Sequence, residues 1–546
     1  VSRPARPIEV EKNTPRKQVA SPQRARNTAI RRVYIGGLLA ALSLVSLIFL
    51  ADSIVAVTAP FQIEDSEGAI LYQVSQIAPL SSAYKPLDQY PYFFLNYPPV
   101  YHLATRIIDV AIGDLVTAGR SVSFVSGLLI ELILGALVFF SLPRRVDPVA
   151  RYGAAVFAGL LPSAVPVMRW IRFARVDTLA VLLAIAGLAL FVLCQKHKWA
   201  DYGAFFLFVA AVFTKQTMVA APLACFVTLM ILDVRRALKA AAFAIALGSA
   251  ALTGLYLATD GEAFKQLFAY NNNTFSLIRM TRVQESNFSL VMPLVVLAAG
   301  VAGASAIKAW SLYRNGRWER VRLFLKNEPL FRLSAVWSLL LLFAFLVSFT
   351  SGNVGSSDNY FLELDLACCP LVGLGLWRTL LALRRPMRWT AANVSLLLLP
   401  GIILIPALPH AFGGTRVFVH GLSEYSGALE KEDAKAKIAA HREALEFVRN
   451  SPGPVFSEDM LLLVQAGKEV PAEPSTVVEL ARHSQWDETP FVQMINEKRF
   501  SAIVVTSSLD NSARFSPAVA QAIRQTYEQS LHIGSEYRIL LPRGQE

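Results

Sequence analysis

A chain of 546 residues that is 54% apolar and only 17% charged carries too much hydrocarbon for soluble domains alone. The net charge of +12 is uneven: from Thr415 onward fourteen Lys/Arg face eighteen Asp/Glu, so the excess sits in the apolar part, where basic loops signal topology and make no case for nucleic acid. The four cysteines, Cys194, Cys225, Cys368 and Cys369, all lie in apolar runs, which excludes a disulfide framework and a cysteine zinc site.

Residues 1–32 are rich in Pro, Arg and Ala, with nine Lys/Arg against two Glu, and read as a disordered basic cytoplasmic arm. Val33 to Val57 is long enough to span and lacks a cleavage site, so it anchors the chain with its N-terminus inside. Further apolar runs lie near 117–142, 149–168, 175–194, 200–214, 217–232, 237–258, 288–307, 333–350, 360–383 and 390–412. A crossing helix needs roughly 17–25 residues. Lys215-Gln216-Thr217 divides 200–232 into a short hairpin, which puts the basic loops 144–151, 196–198, 235–239, 308–332 and 384–388 on one side and gives about eleven transmembrane helices. The predicted fold is therefore a polytopic α-helical membrane protein, with amphipathic interfacial helices in the first outer loop (58–116) and a C-terminal α/β soluble domain. Residues 33–412 form the membrane domain and 413–546 the outer domain. In that outer domain, 424–449 reads as an amphipathic helix, and Pro454-Val455-Phe456 and Ala502 to Thr506 as buried strands.

Unusual polar residues collect on the outer side. The first loop opens with Glu64-Asp65-Ser66-Glu67 and closes with Tyr97-Pro98-Pro99-Val100-Tyr101-His102. Three carboxylates just past a membrane helix suit chemistry at a membrane face. In an alternative reading, Asp65 caps a helix through Ala69, Ile70, Leu71, Val74 and Ile77 that lies in the interface, with Glu67 favouring its first turn. Arg175-Val176-Asp177 follows Arg169 and Arg172 at the rim of a span. It is either an outer-rim ion pair or an acid beside a phosphate-binding guanidinium. Lys215, at the tip of the hairpin, either snorkels to the lipid head groups or meets an anion. The turn-rich stretch 352–360, with Asp358 and Tyr360, runs into a span bearing Glu363 and Asp365, two carboxylates expected to face a wet cavity. The 259–287 loop, with Arg279 and Arg282, is a substrate cover or a polar connector. Asn272-Asn273-Thr274 and Asn287-Phe288-Ser289 fit glycosylation sequons. His102 and His410 lack metal-ligand spacing.

These residues together resemble the C-type fold of integral-membrane glycosyltransferases, in the branch of the protein O-mannosyltransferases and lipid A aminoarabinose transferases. The likeness is carried by Glu64 to Glu67, Tyr97-Pro98-Pro99, Arg175-Val176-Asp177 and Phe213-Thr214-Lys215-Gln216-Thr217. The family often has adjacent Asp-Glu where this chain has Glu64-Asp65 with Glu67 two further on, so the base lies between Asp65 and its neighbours. The resemblance implies sugar transfer from a polyprenyl-phosphate donor to a lipid, glycan or protein acceptor, at the outer face of a bacterial inner membrane. Asp65, flanked by Glu64 and Glu67, would be the general base, and Asp177 would position the acceptor or a metal. Arg172, Arg175 and Lys215 would hold the donor phosphate, while Tyr97, His102, Arg279, Arg282, Asp358, Tyr360 and Glu363 would contact substrate. A divalent metal ion is the one cofactor the resemblance leaves open. The rival reading is a transporter or lipid-linked sugar flippase. It needs ionisable groups along a path through the membrane, and Glu131 is the only clear mid-span acid.

Overall fold

The computed structural model describes residues 22–144, 147–271, 273–383, 401 and 432–544. The apolar runs become helices because, in lipid, backbone N–H and C=O groups must find partners within their own segment. In chain order the main helices are α1 (Pro22–Val57), α2 (Glu67–Gln76), α3 (Val100–Ile112), α4 (Leu115–Ser141), α5 (Pro148–Leu160), α6 (Val176–Leu193), α7 (Trp199–Val212), α8 (Ala220–Leu232), α9 (Val234–Ala258), α10 (Leu277–Arg314), α11 (Pro329–Ser348) and α12 (Leu362–Ala382). Seven helices are long and apolar enough to cross a membrane, or eight if the bent pair at 148–172 counts as one. With the shorter α7 and α8 this makes ten of the expected eleven. The eleventh, at 390–412, lies outside the described residues apart from position 401.

Four details differ from expectation. Residues 22–32 open α1 rather than belonging to an irregular arm, and Arg31 pairs with Asp147. The run at 149–168 is not one straight helix: after α5 the chain turns by 74° around Val165, between Pro162 and Pro166. Proline removes a helical hydrogen bond and disfavours helical geometry in the residue before it. In the first outer loop, α2 is not interfacial, because every residue from Glu67 to Val74 is buried. The amphipathic helix of this loop is α3, which leaves Leu103, Ile107 and Val110 exposed along one side and buries Tyr101, His102 and Thr105 on the other. Finally, Asn287 is buried inside α10, where its amide faces Asp365 at 3.4 Å, so that sequon is closed to glycosylation. Asn272, of the other sequon, lies outside the described residues.

The C-terminal unit is α/β as expected. Helix α13 (Glu432–Asn450), α14 (Met460–Gln465) and α15 (Pro474–Arg482) accompany a four-stranded sheet of β1 (Val455–Ser457), β2 (Ala502–Val505), β3 (Tyr527–Ile533) and β4 (Tyr537–Pro542). The order is β1-β2-β4-β3, with β1 parallel to β2 and the other pairs antiparallel. This unit is seated on the first outer loop. Leu87, Tyr92 and Phe94 enter its core beside Phe456, Trp486 and Phe491, and the Tyr92 N–H donates to the Pro471 carbonyl at 2.8 Å. A Cβ on Gly68 would stand 2.4 Å from the Leu461 backbone nitrogen, so glycine is what lets α2 approach α14. The loop is thereby clamped between the apolar helices and the C-terminal unit.

Candidate active site

Where these parts meet lies a cavity of about 250 Å³. The first loop lends it Ser66, Gln73, Asn96 and Tyr97. Arg175 and the Lys215–Thr217 turn form its inner side, and Asn353, Val354, Gly355, Asn359 and Tyr360 one flank. Tyr270, Asn271 and Asn273 form another, and α15 with the residue before it supplies Glu473, Ser475, Thr476 and Glu479 from the C-terminal unit.

Two cations are brought together at the inner side. Arg175 immediately precedes α6, and its guanidinium donates to Glu64 Oε2 at 3.3 Å and to the Tyr97 hydroxyl at 3.5 Å. Lys215 sits between α7 and α8 and points its ammonium at Asp177 Oδ1, 2.5 Å away, and over the Tyr360 ring at 4.5 Å. Asp177 is in turn held by Asn359 Nδ2 at 2.8 Å and approached by Arg175 Nε at 3.7 Å. The lysine is therefore paired and does not snorkel. Burial pushes the Tyr97 phenol up to about 12, so its hydroxyl stays protonated and can donate to an anion. A fixed guanidinium, a fixed ammonium and a phenol on one wall suit an oxyanion such as phosphate.

The remaining expected residues are placed as follows. Glu64 is half-buried against Arg175. Burial pushes its carboxyl above the usual range, and Arg175 pulls it part of the way back. Asp65 is largely exposed and turned outward to Arg514, at 2.5 Å, and the N-cap of α2 is Ser66 rather than Asp65. Neither Glu64 nor Asp65 lines the cavity in this arrangement, although Arg175, the partner of Glu64, does. Glu67 is wholly buried. Both of its oxygens are taken by Arg120 Nε and Nη2, at 2.8 and 2.9 Å, and by the N–H groups of Ile63 and Ala174. It is a structural anchor, with no face toward the cavity.

Arg172 pairs with Asp52 on α1 and donates to Ser53 Oγ, away from the cavity lining. Asp358 is drawn off by Arg169 and the Trp170 indole, each about 3.0 Å away. His102 is buried under Gln73, whose Oε1 lies 2.9 Å from its Nε2. Burial drives the imidazole down to about 4, so it is a neutral group standing behind Gln73 and outside the cavity lining. The expected cover loop is shorter than thought, because α10 begins at Leu277. Arg279 there donates to the Ser356 carbonyl at 2.6 Å, and Arg282 is exposed on the same helix. Glu363 and Asp365 are packed inside the bundle and line no part of the cavity. Among the described residues no group of three His, Cys, Asp or Glu side chains stands together as metal ligands would, and the cation-lined wall does not fit a metal.

No protein-family model matches the chain, and no curated protein sequence does. Solved structures do match in shape. The crystal structure of ArnT from Cupriavidus metallidurans bound to undecaprenyl phosphate is similar with a TM-score of 0.55 at 14% identity, covering 92% of this chain and 98% of that one. The chain has the C-type glycosyltransferase fold. The apo form of the Archaeoglobus fulgidus oligosaccharyltransferase is also similar, with a TM-score of 0.51 at 10% identity over 92% of this chain and 74% of that one. With this fold and at least seven helices long and apolar enough to cross a membrane, the protein is an integral membrane protein.

Sequence reasoning missed the residues that complete the C-type cavity. Gln73 and Asn96 come from stretches with no motif, Gln216 stood in the Phe213–Thr217 motif beside Lys215 without being singled out, and Glu473 to Glu479 come from a unit whose role was not legible. Arg120 was missed although its position early in a membrane helix was a usable signal.

Proposed function

We propose that this protein transfers a glycosyl group from a polyprenyl-phosphate donor to a hydroxyl-bearing acceptor at the outer face of the membrane. The observation that carries the proposal is the convergence of Arg175, Lys215 and the Tyr97 phenol on one cavity wall beside the membrane helices. Undecaprenyl phosphate, which ArnT holds, has the chemistry that wall suits. The bond between C1 of the sugar and the phosphate oxygen breaks, and its electron pair stays on the phosphate, where Arg175 and Lys215 compensate the charge. The bond between C1 and the acceptor oxygen forms, and the acceptor's proton passes to a carboxylate. We assign that role to Glu64 and not to Asp65: neither lines the cavity in this arrangement, but Glu64 is turned to Arg175, which does line it, and Asp65 outward to Arg514. Asp177 orients Lys215.

The phosphate assignment is tested by binding of labelled undecaprenyl phosphate to the purified protein. Each charge-assisted contact to phosphate is worth roughly 1.5–3 kcal/mol, about ten- to a hundredfold in affinity. Arg175→Met is expected to weaken binding by that factor. For Lys215 the informative variant is Lys215→Met with Asp177→Asn, which avoids stranding the Asp177 carboxylate. Wild-type affinity in both would remove the phosphate from this wall.

Orientation has its own test. Cysteines placed at the exposed Asp88 and Glu497 are both expected to react with an impermeant maleimide in intact cells, since the positive-inside rule assigns the basic loops to the cytoplasm and the first loop and C-terminal unit to the other side. Labelling only after permeabilisation would turn the site to the inner face.

A further inference from the structure

The cavity is polarised. Its inner wall carries Arg175 and Lys215, whereas the acids that line it, Glu473 and Glu479, both come from the C-terminal unit. Glu479 is already engaged: it accepts from Thr274 Oγ1 at 2.8 Å and from Arg482 at 3.1 Å, and His483 stands 3.5 Å away. Glu473 is different. It immediately precedes α15, and its carboxylate makes no capping bond to the backbone of that helix. Its hydroxyl neighbours are Ser475, whose Oγ donates to it at the long distance of 3.5 Å, and Thr476, and no Lys or Arg among the described residues comes within ion-pair distance of it. Burial pushes this carboxyl upward, and Thr476, Arg514 and Arg175 pull it part of the way back.

A carboxylate with spare acceptor capacity, facing a phosphate site across one cavity, is placed to receive a hydrogen bond from whatever attacks the sugar. An acceptor that presents phosphate or carboxylate at this wall would meet like charge, whereas an uncharged hydroxyl-bearing group would not. We infer that Glu473 holds the acceptor, and that the C-terminal unit thereby selects an uncharged, hydroxyl-bearing group as the nucleophile. The inference rests on the glycosyltransferase reading above. Glu473 would accept a hydrogen bond from the acceptor and orient its oxygen toward C1, while the proton itself leaves to Glu64. The C-terminal unit is then half of the active site and more than an appendage. Tyr92, in pairing with Pro471 two residues ahead of Glu473, would fix the carboxylate over the membrane-side wall.

The test uses the full-length protein in a strain lacking its gene, whose own membranes carry the natural acceptor. Wild type is expected to clear the polyprenyl-phosphate sugar that accumulates in that strain, measured by mass spectrometry of extracted lipids. Glu473→Gln is expected to leave it accumulated at least tenfold above wild type, and Glu473→Asp to restore part of the clearance. In parallel, purified Glu473→Gln should keep the wild-type melting temperature and bind undecaprenyl phosphate within about twofold of wild type, which a merely structural role would not predict. Clearance by Glu473→Gln equal to wild type would overturn the inference, and so would weakened undecaprenyl phosphate binding or a lowered melting temperature sufficient to explain the loss. If wild type itself neither clears the lipid nor binds undecaprenyl phosphate, the glycosyltransferase reading falls first, a result distinct from either of those.

Discussion

Glu64→Gln is expected to reduce glycosyl transfer by about 10²–10⁴-fold, the usual cost of losing a general base. The substitution keeps the size of the side chain and an oxygen able to accept from the Ser66 N–H and from Arg175, so binding of undecaprenyl phosphate should persist. Asp65→Asn should remain within severalfold of wild type, because that carboxylate points outward and is 78% exposed beside Arg514. The pH profile supplies a second readout. Burial raises the Glu64 carboxyl, so the base is protonated at a higher pH than an ordinary glutamate. Activity should therefore be present above the raised value and lost as pH falls through it, and that acid limb should vanish in the residual activity of Glu64→Gln. The opposite pattern, Asp65→Asn inactive and Glu64→Gln active, would mean that the loop turns over when substrate binds and that Asp65 is the base.

The membrane architecture was legible because it follows from one local property. A span announces itself by length and hydrocarbon content, and basic loops order the spans. The convergence of Arg175, Asp177 and Lys215 was partly legible for a related reason, since charges at the rim of a span are costly and attract attention. What could not be read is the direction in which each charge points. Arg172 and Arg175 are equivalent on paper, yet the first turns to Asp52 on α1 and the second to Glu64 and Tyr97. Asp358 and Glu363 fared alike, one drawn to Arg169 and the other packed inward. The contribution of the C-terminal unit was invisible, because Glu473 reaches the cavity only through long-range docking on Tyr92 and Gly68. No local pattern in 432–544 encodes that contact.

The Glu67–Arg120 pair should prove the most sensitive point of the first loop. Both side chains are fully buried, and the guanidinium also donates to the carbonyls of Ala56, Ala59 and Phe61, so it ties the end of α1 to the start of α2. Removing one partner of such a pair strands a buried charge, at a cost of about 3–5 kcal/mol. A domain's whole stability is only about 5–15 kcal/mol. Glu67→Gln and Arg120→Met are therefore each expected to lower the melting temperature and the yield of folded protein in detergent. Removing both charges does not repair the loss, because the carbonyls served by Arg120 and the N–H groups of Ile63 and Ala174 then lose their partners. The pH dependence has a definite sign. Burial alone would raise the Glu67 carboxyl, but Arg120 and the backbone N–H groups hold it below the usual range. Its contribution is thus present above the ordinary glutamate pKa and is lost as pH falls through the depressed value, which Glu67→Gln should abolish. Transfer by the folded fraction of Glu67→Gln should fall no further than the loop's displacement requires. A Glu67→Gln protein of wild-type stability that binds undecaprenyl phosphate normally and transfers nothing would make Glu67 the base and this anchor assignment wrong.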